Sequence, residues 1–245
     1  MKKQMLYREL AKYYDLIYSW KDYKKETNKI KKLISKYKKS EGNELLDVAC
    51  GTGQHFKFLK NSFSCTGVDV NERIVNVAKN NVKGVVFKKA DMTKFNLNKK
   101  FDVITCLFSS ISYAKTYKNL RKTINNFARH LKKGGIVIIE PWFTKATFKV
   151  GLPLMSTYDG KDIKIARLNV SKLKKNVSIL DMHFLIAEKN KEVKHFVDRH
   201  EVGLFEISKT IVFMKEAGFD AKFLRSGLVV DKSMMDRGLF IGVKK

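Results

Sequence analysis

The sequence predicts an α/β fold: a parallel sheet with crossover helices, preceded by two N-terminal helices and interrupted late in the chain by an antiparallel β insertion. Three observations predict it. Between residues 5 and 39 apolar and aromatic residues recur three or four apart, the helical period. From residue 44 short apolar runs alternate with longer amphipathic ones, which is how a parallel sheet and its crossover helices read. From about Thr157 to Glu201 apolar residues alternate with polar ones between turn-prone pairs, as in an antiparallel meander.

The N-terminal pattern runs through Leu6, Leu10, Tyr13, Tyr14 and Ile17, then Ile30, Leu33, Ile34 and Tyr37. After the break Ser40-Glu41-Gly42-Asn43, strands are expected at Glu44–Ala49, Ser64–Val70, Val85–Lys88, Val103–Phe108 and Ile136–Glu140. Helices are expected at Gln54–Asn61, Glu72–Asn80 and Lys118–Leu131. The last is closed by Lys132-Lys133-Gly134-Gly135, since cations and a glycine suit a helix C-terminus. Breaks at Asp159-Gly160, Lys175-Asn176 and Lys189-Asn190 divide the alternating region. A helix over Glu206–Ala217, stopped by Gly218, precedes closing strands at Ala221–Arg225 and Gly238–Val243. With no repeat or low-complexity linker, the expectation is a single domain over residues 1–245. It carries a helical cap over 1–40 and an insertion over 157–201 that packs on the main body.

The chain's 245 residues are 44% hydrophobic, enough for one substantial core. No stretch approaches the roughly 18 apolar residues of a membrane helix. Met1-Lys2-Lys3-Gln4-Met5 leads into charged sequence without a signal-peptide apolar run, so the expected location is the cytoplasm. Cys50, Cys65 and Cys106 are isolated, with neither disulfide nor zinc spacing, and read as small buried apolar side chains. Fifty Lys and Arg against 24 Asp and Glu leave a net charge of +26, which attracts phosphates of any kind. The cations are spread along the chain, as in Lys24-Lys25, Lys88-Lys89 and Lys174-Lys175, which is the pattern of a solvated surface more than of a nucleic-acid stripe.

The segment that carries chemistry is Asp47-Val48-Ala49-Cys50-Gly51-Thr52-Gly53: a carboxylate near the end of a buried strand, then two glycines two apart, then a helix. Glycine is needed where backbone turns sharply and must approach a ligand without a Cβ in the way. Phe56 stands where the third glycine of a dinucleotide fingerprint would be, and no Walker lysine follows, so dinucleotide and triphosphate readings lose ground. Asp69, at the end of the next strand, can accept from both hydroxyls of a ribose, a role open to adenosine cofactors of several types. Asp91 follows the third strand, where it can meet an adenine amino group while Met92 packs on the ring.

These residues resemble the class I S-adenosylmethionine (SAM)-dependent methyltransferases, whose first motif is an acidic residue followed by xGxG. The likeness is strong over residues 44–142. A closer one spans nearly the whole chain: residues 45–53, Phe108-Ser109-Ser110-Ile111, Val137-Ile138-Ile139-Glu140-Pro141-Trp142, Met182-His183-Phe184, Lys194-His195-Phe196 and Arg237-Gly238-Leu239-Phe240 look like the N,N-dimethyltransferases of nucleotide-linked 3-amino-3,6-dideoxy sugars.

The resemblance implies a Rossmann-like methyltransferase sheet and SAM as cofactor, held by Tyr14, Asp47, Ala49, Gly51, Gly53, Asp69, Val70, Asp91, Met92 and Leu107. Tyr14 closes over donor and acceptor. Some members place a histidine beside the acceptor after the fourth strand; Tyr113 holds that place here, so Tyr14 and Tyr113 are the catalytic candidates, as orienting groups more than strong bases. Glu140 is a further candidate to orient the amine or to receive its proton through water. Trp142, His183 and Arg237, the last with Lys232, are candidates for the acceptor; His195 and His200 read as packed histidines, and His55 as the start of a helix. No metal is expected.

The expected reaction is methyl transfer from SAM to an amine of a small molecule such as a nucleotide-linked amino sugar. The partners admitted are that acceptor, anionic in keeping with the charge, a second copy of the chain, and less readily nucleic acid; a membrane is not among them. One rival is an RNA or tRNA methyltransferase, against which Leu107-Phe108-Ser109-Ser110 stands where base-modifying enzymes carry Asn/Asp-Pro-Pro-Tyr/Phe. The other is a non-catalytic SAM-binding protein.

Overall fold

A computed structural model describes residues 11–228 and 237–245. Leu6, Leu10 and Lys232 lie outside the described residues. Among the described residues the main sheet has seven strands: β1 (Glu44–Val48), β2 (Ser64–Asp69), β3 (Val86–Lys89), β4 (Phe101–Cys106), β5 (Leu131–Ile139), β10 (Phe219–Leu224) and β11 (Leu239–Lys244). Their order is β10-β11-β5-β4-β1-β2-β3. β1 pairs in parallel with β2 and β4, while β11 runs antiparallel to β5 and β10. Because β1 is central, its C-terminal end and those of β2 and β4 converge where the chain order reverses, the place at which open α/β sheets bind ligands.

Helices cover both faces, which is why β4 is buried along its whole length. Ile30 and Ile34 of α2 (Tyr23–Tyr37), Phe56 and Leu59 of α3 (Phe56–Leu59) and Val75 and Ala78 of α4 (Glu72–Asn81) pack on one face with Leu45 and Val103. Leu120, Ile124 and Phe127 of α5 (Tyr117–His130), with Phe213 and Met214 of α6 (Ile207–Glu216), pack on the other with Leu46, Val48 and Ile104. Caps match the starts: Asp22 accepts from the Lys25 amide, Asn71 from those of Arg73 and Ile74, and Thr116 from that of Asn119.

The expected glycine stop after α5 is corrected. The helix ends at His130 and the strand begins at once, with Lys132-Lys133-Gly134-Gly135 inside β5. Phe101 pairs with Leu131 but Val103 with Ile136, so these residues form a bulge against β4. Gly134 takes a φ of +75° there, and its carbonyl accepts the amides of Lys39 and Ser40. The helix expected over 54–61 shrinks to the single turn α3, because Gly53 and Gln54 are spent in the loop.

The insertion is a separate four-stranded antiparallel sheet in the order β6 (Pro153–Asp159), β7 (Ile163–Lys174), β8 (Val177–Glu188) and β9 (Lys194–Gly203). It starts earlier than its alternation shows. β6 is an edge strand whose Leu154 and Met155 are both exposed, so it lacks the one-sided pattern. The described part of the N-terminal cap is a 3-10 turn, Ala11–Tyr13, running into α1 (Tyr14–Ile17). A third core joins cap to insertion: Tyr13, Tyr14, Ile17 and Tyr18 pack with Ile165, Phe184 and Ile186. Among the described residues no helix is long and apolar enough to cross a membrane.

Candidate active site

The loop after β1 reverses direction through three left-handed residues, Ala49 (φ 59°), Gly51 (φ 56°) and Gly53 (φ 80°). Gly53 also needs to lack a side chain, since a Cβ there would stand 3.2 Å from the Phe87 ring. Ala49 holds the same conformation without glycine's freedom, a strain of the kind that clusters at functional sites. A Cβ on Gly51 would lie 4.0 Å from the Tyr14 hydroxyl, so Tyr14 faces the loop across a narrow gap.

Asp47 is buried beneath the loop, and its Oδ1 accepts the Thr105 hydroxyl at 2.7 Å. Burial pushes its carboxyl up to about 6, with His55 opposing. Asp69, half-buried at the end of β2, accepts the Gly51 amide on Oδ2 at 3.1 Å and the Asn71 amide on Oδ1 at 2.9 Å. Burial raises its carboxyl too, against those backbone bonds. Asp69 thus joins the glycine loop to the cap of α4. Val70 beyond it is exposed. Asp91 accepts both the amide and the hydroxyl of Thr93 on Oδ1 at 2.8 Å, closing a turn. Half-buried Met92 packs against the core beside it. Leu107 is buried on the α2–α4 side at the end of β4.

Asp15, next to Tyr14, ties the cap to the loop. Its Oδ1 accepts the Thr52 hydroxyl at 2.6 Å, and its Oδ2 accepts the side-chain amides of Gln54 at 2.7 Å and Asn81 at 3.1 Å. Behind the loop lies a buried charged cluster: Glu26 holds Lys21 Nζ at 2.6 Å and His55 Nε2 at 2.9 Å. The Lys21 ammonium also sits 4.2 Å from the centre of the Phe108 ring. Burial alone would raise the Glu26 carboxyl, but His55 and Lys21 outweigh it and hold it below its usual range. His55 therefore does more than begin α3.

After β4, Phe108 and Ser109 are both left-handed, with φ of 50° and 61°. Glu140 accepts the Phe108 amide at 2.6 Å, and the Ser109 hydroxyl donates to the Pro141 carbonyl at 2.7 Å. Glu140 also pairs with Arg237 at 3.7 Å. From its buried position it braces this turn. The buried Arg237 guanidinium lies 4.9 Å from the Trp142 ring centre, and Trp142 donates to the Ser178 hydroxyl at 3.2 Å. Arg237, a candidate for the acceptor, is thus enclosed between Glu140 and Trp142.

His183 is not brought to the site. Successive strand residues face opposite sides, so Met182 and Phe184 face the cap while His183 faces outward, stacked on His195. The histidine that faces inward is His200, fully buried on β9. Its Nδ1 lies 2.6 Å from the Tyr113 hydroxyl, and its Nε2 lies 2.8 Å from Asp198 Oδ2. Sequence reading missed this arrangement, although the alternation of Asp198, His200 and Val202 is the signal that would have turned His200 inward.

The site's polar groups suit SAM. The Asp69 carboxylate matches a ribose diol, and the narrow space between Gly51 and the Tyr14 hydroxyl suits a chain that must pass close to backbone.

Residues 45–135 match a methyltransferase-domain family model. The chain is 33% identical over 236 residues to dTDP-3-amino-3,4,6-trideoxy-alpha-D-glucopyranose N,N-dimethyltransferase of Streptomyces venezuelae, covering 95% of this chain and 97% of the relative. Its fold superposes on the crystal structure of Streptomyces venezuelae DesVI with a TM-score of 0.88 at 33% identity, over 96% of this chain and 98% of the other. On the sugar N-methyltransferase KedS8 from Streptoalloteichus the TM-score is 0.84 at 31% identity, over 95% and 92%.

Proposed function

From the premise that this chain belongs to the class I SAM-dependent methyltransferases, alongside the amino-sugar N,N-dimethyltransferases, we propose that its acceptor is the amine of a nucleotide-linked amino sugar. The enzyme transfers methyl from SAM to an amine of a small molecule. What supports the finer reading is the meeting of three parts at one place: the glycine loop, the Tyr14-Asp15 turn across it, and the insertion sheet whose core takes in that turn.

When bound, SAM supplies a methyl already activated on a sulfonium, so the chain's work is to bind, orient and exclude water. Asp69 holds the ribose, with Asp91 and Met92 at the adenine. Ala49, Gly51 and Gly53 form the floor, Asp47 supports them from below, and Val70 and Leu107 flank the site. Tyr14 covers the methionine end, and Tyr113 meets the acceptor amine. Trp142, held by Ser178 and Arg237, walls the acceptor side. The surplus of positive charge suits a diphosphate-bearing acceptor.

The test is labelled-methyl transfer from SAM to a nucleoside-diphosphate-linked 3-amino-3,6-dideoxyhexose, with free amino sugars, amino acids and tRNA alongside. Labelling of the nucleotide sugar is expected. Label on tRNA alone, with binding that weakens steeply in salt, would overturn this reading.

A further inference from the structure

The inner face of the insertion sheet is not wholly apolar. Along β7, Ile165 enters the core shared with the cap, and strand alternation places Arg167, Asn169 and Ser171 on that same face. Ser171 is satisfied within the protein, its hydroxyl donating to the Lys149 carbonyl at 2.9 Å. The other two are not. Half-buried Arg167 donates from Nη1 to the Tyr18 hydroxyl at 3.3 Å, while its Nε is sealed from solvent with no hydrogen-bond partner. Asn169 is 7% exposed, and among the described residues its side-chain amide has no hydrogen-bond partner. We propose that Arg167 and Asn169 form an oxyanion subsite that holds the diphosphate of the nucleotide-linked acceptor. This inference rests on the reading that the acceptor is a nucleotide-linked amino sugar.

The charge of Arg167 is what singles it out. Arg121, Arg199 and Arg237 are each spent on a carboxylate, that of Glu216, Asp181 and Glu140 respectively. Among the described residues no carboxylate lies within 4.0 Å of the Arg167 guanidinium. Taking a cation partly out of water beside a neutral phenol is unfavourable unless an anion meets it there. A guanidinium is a planar fork whose N–H pairs match phosphate oxygens, and a neighbouring neutral amide can donate to a further oxygen without repelling the charge. Two residues apart on one strand face, the pair spans roughly 7 Å, a reach that suits two linked phosphoryl groups.

The subsite is also tied to the rest of the candidate site. The Arg167 guanidinium lies 5.7 Å from the centre of the Tyr18 ring. That ring in turn packs 4.7 Å from Tyr14, which faces the glycine loop, and 5.1 Å from Phe108, which follows β4. In a 3-amino sugar the amine and the diphosphate leave different carbons of one ring, so an enzyme that presents the amine to the donor must grip the phosphates from another element. β7 is that element here: the main sheet carries the donor loop, and the insertion carries the unspent cation.

The test uses the full chain, a nucleoside-diphosphate-linked 3-amino-3,6-dideoxyhexose as acceptor, and the variants Arg167→Gln, Arg167→Lys and Asn169→Leu. Arg167→Gln is expected to raise KM for the acceptor about 30-fold, as loss of charge-assisted hydrogen bonds does, with kcat within about threefold of the unaltered value. Arg167→Lys keeps the charge without the fork and should fall between, and Asn169→Leu should raise KM about 5-fold. Inorganic pyrophosphate should compete with the acceptor in the unaltered protein and lose that hold in R167Q. Because glutamine removes a charge that no carboxylate meets, R167Q should melt no lower than the unaltered protein. A lower melting point with an unchanged acceptor KM would give Arg167 a structural role only and overturn the subsite. Weakened SAM binding in R167Q, read by calorimetry, would assign the guanidinium to the donor's own carboxylate and overturn it equally. If the unaltered protein methylates the nucleotide sugar and every variant keeps its KM, the subsite alone falls; if it methylates no nucleotide sugar, the acceptor assignment falls first and the subsite with it.

Discussion

One carboxylate, that of Asp15, takes the Thr52 hydroxyl at 2.6 Å and so binds the N-terminal turn directly to the glycine loop. Its second oxygen takes Gln54 and Asn81 as well, so three residues of the loop and α4 depend on it. Asp15→Ala should leave the fold intact, because the turn still packs in the aromatic core, yet free Tyr14 from the loop. SAM affinity measured by calorimetry should fall about 10-fold, near 1.4 kcal/mol. Unchanged affinity would mean that the cap adds nothing to donor binding.

Asp69 joins the Gly51 amide, the Asn71 amide and the proposed ribose. Asp69→Ala removes all three, and SAM binding should drop beyond calorimetric detection, at least about 100-fold from two or more charge-assisted hydrogen bonds. Asp69→Asn keeps one acceptor oxygen and should bind with intermediate strength. Undiminished binding in the alanine variant would remove Asp69 from the site.

Glu26 neutralises the buried Lys21. Glu26→Gln leaves that cation uncompensated and should lower stability by about 3 kcal/mol at pH 7. Because the folded carboxyl is held below its usual range, this contribution is present above that range and is lost as pH falls through it. Melting curves of the two proteins should therefore converge as the pH falls below the ordinary carboxylate range. A gap that persists there would assign the effect to packing instead of charge.

Asp47 has the opposite sign. Burial raises its carboxyl from 3.8 to about 6, so the folded protein binds a proton that the unfolded chain releases, and this group's contribution worsens as pH rises across that window. Asp47→Asn keeps an oxygen for the Thr105 hydroxyl and escapes the penalty. Without SAM it should melt higher than the unaltered protein at pH 7.5, by a margin on the order of 1–3 kcal/mol that closes by pH 4. A lower melting point at pH 7.5 would show that the ionised form is needed to hold the loop.

The donor side was legible in the sequence for a physical reason. A strand, a tight turn and a helix in succession put Asp47, Gly51 and Gly53 within seven residues, and strand periodicity placed Asp69 and Asp91 at successive ends of one sheet. The acceptor side was not, because its partners meet only through tertiary packing. Tyr113 reaches His200 across 87 positions, and Asp15 reaches Thr52 across 37. A local window also assigned Gly134 to a helix stop, since nothing nearby shows that Lys39 and Ser40 will come to its carbonyl. His183 and His200 looked alike until strand parity separated them, and that parity depends on a register only the paired sheet reveals.

The N-terminal turn touches both the glycine loop and the insertion sheet. Through Asp15 it grips the donor loop, and through Tyr13, Tyr14, Ile17 and Tyr18 it forms the core beneath the insertion sheet. With the donor and acceptor sites placed as proposed, the two ligands should not fill them independently. Whichever ligand first settles this turn lowers the ordering cost for the other, so each should tighten the other's binding by the same factor.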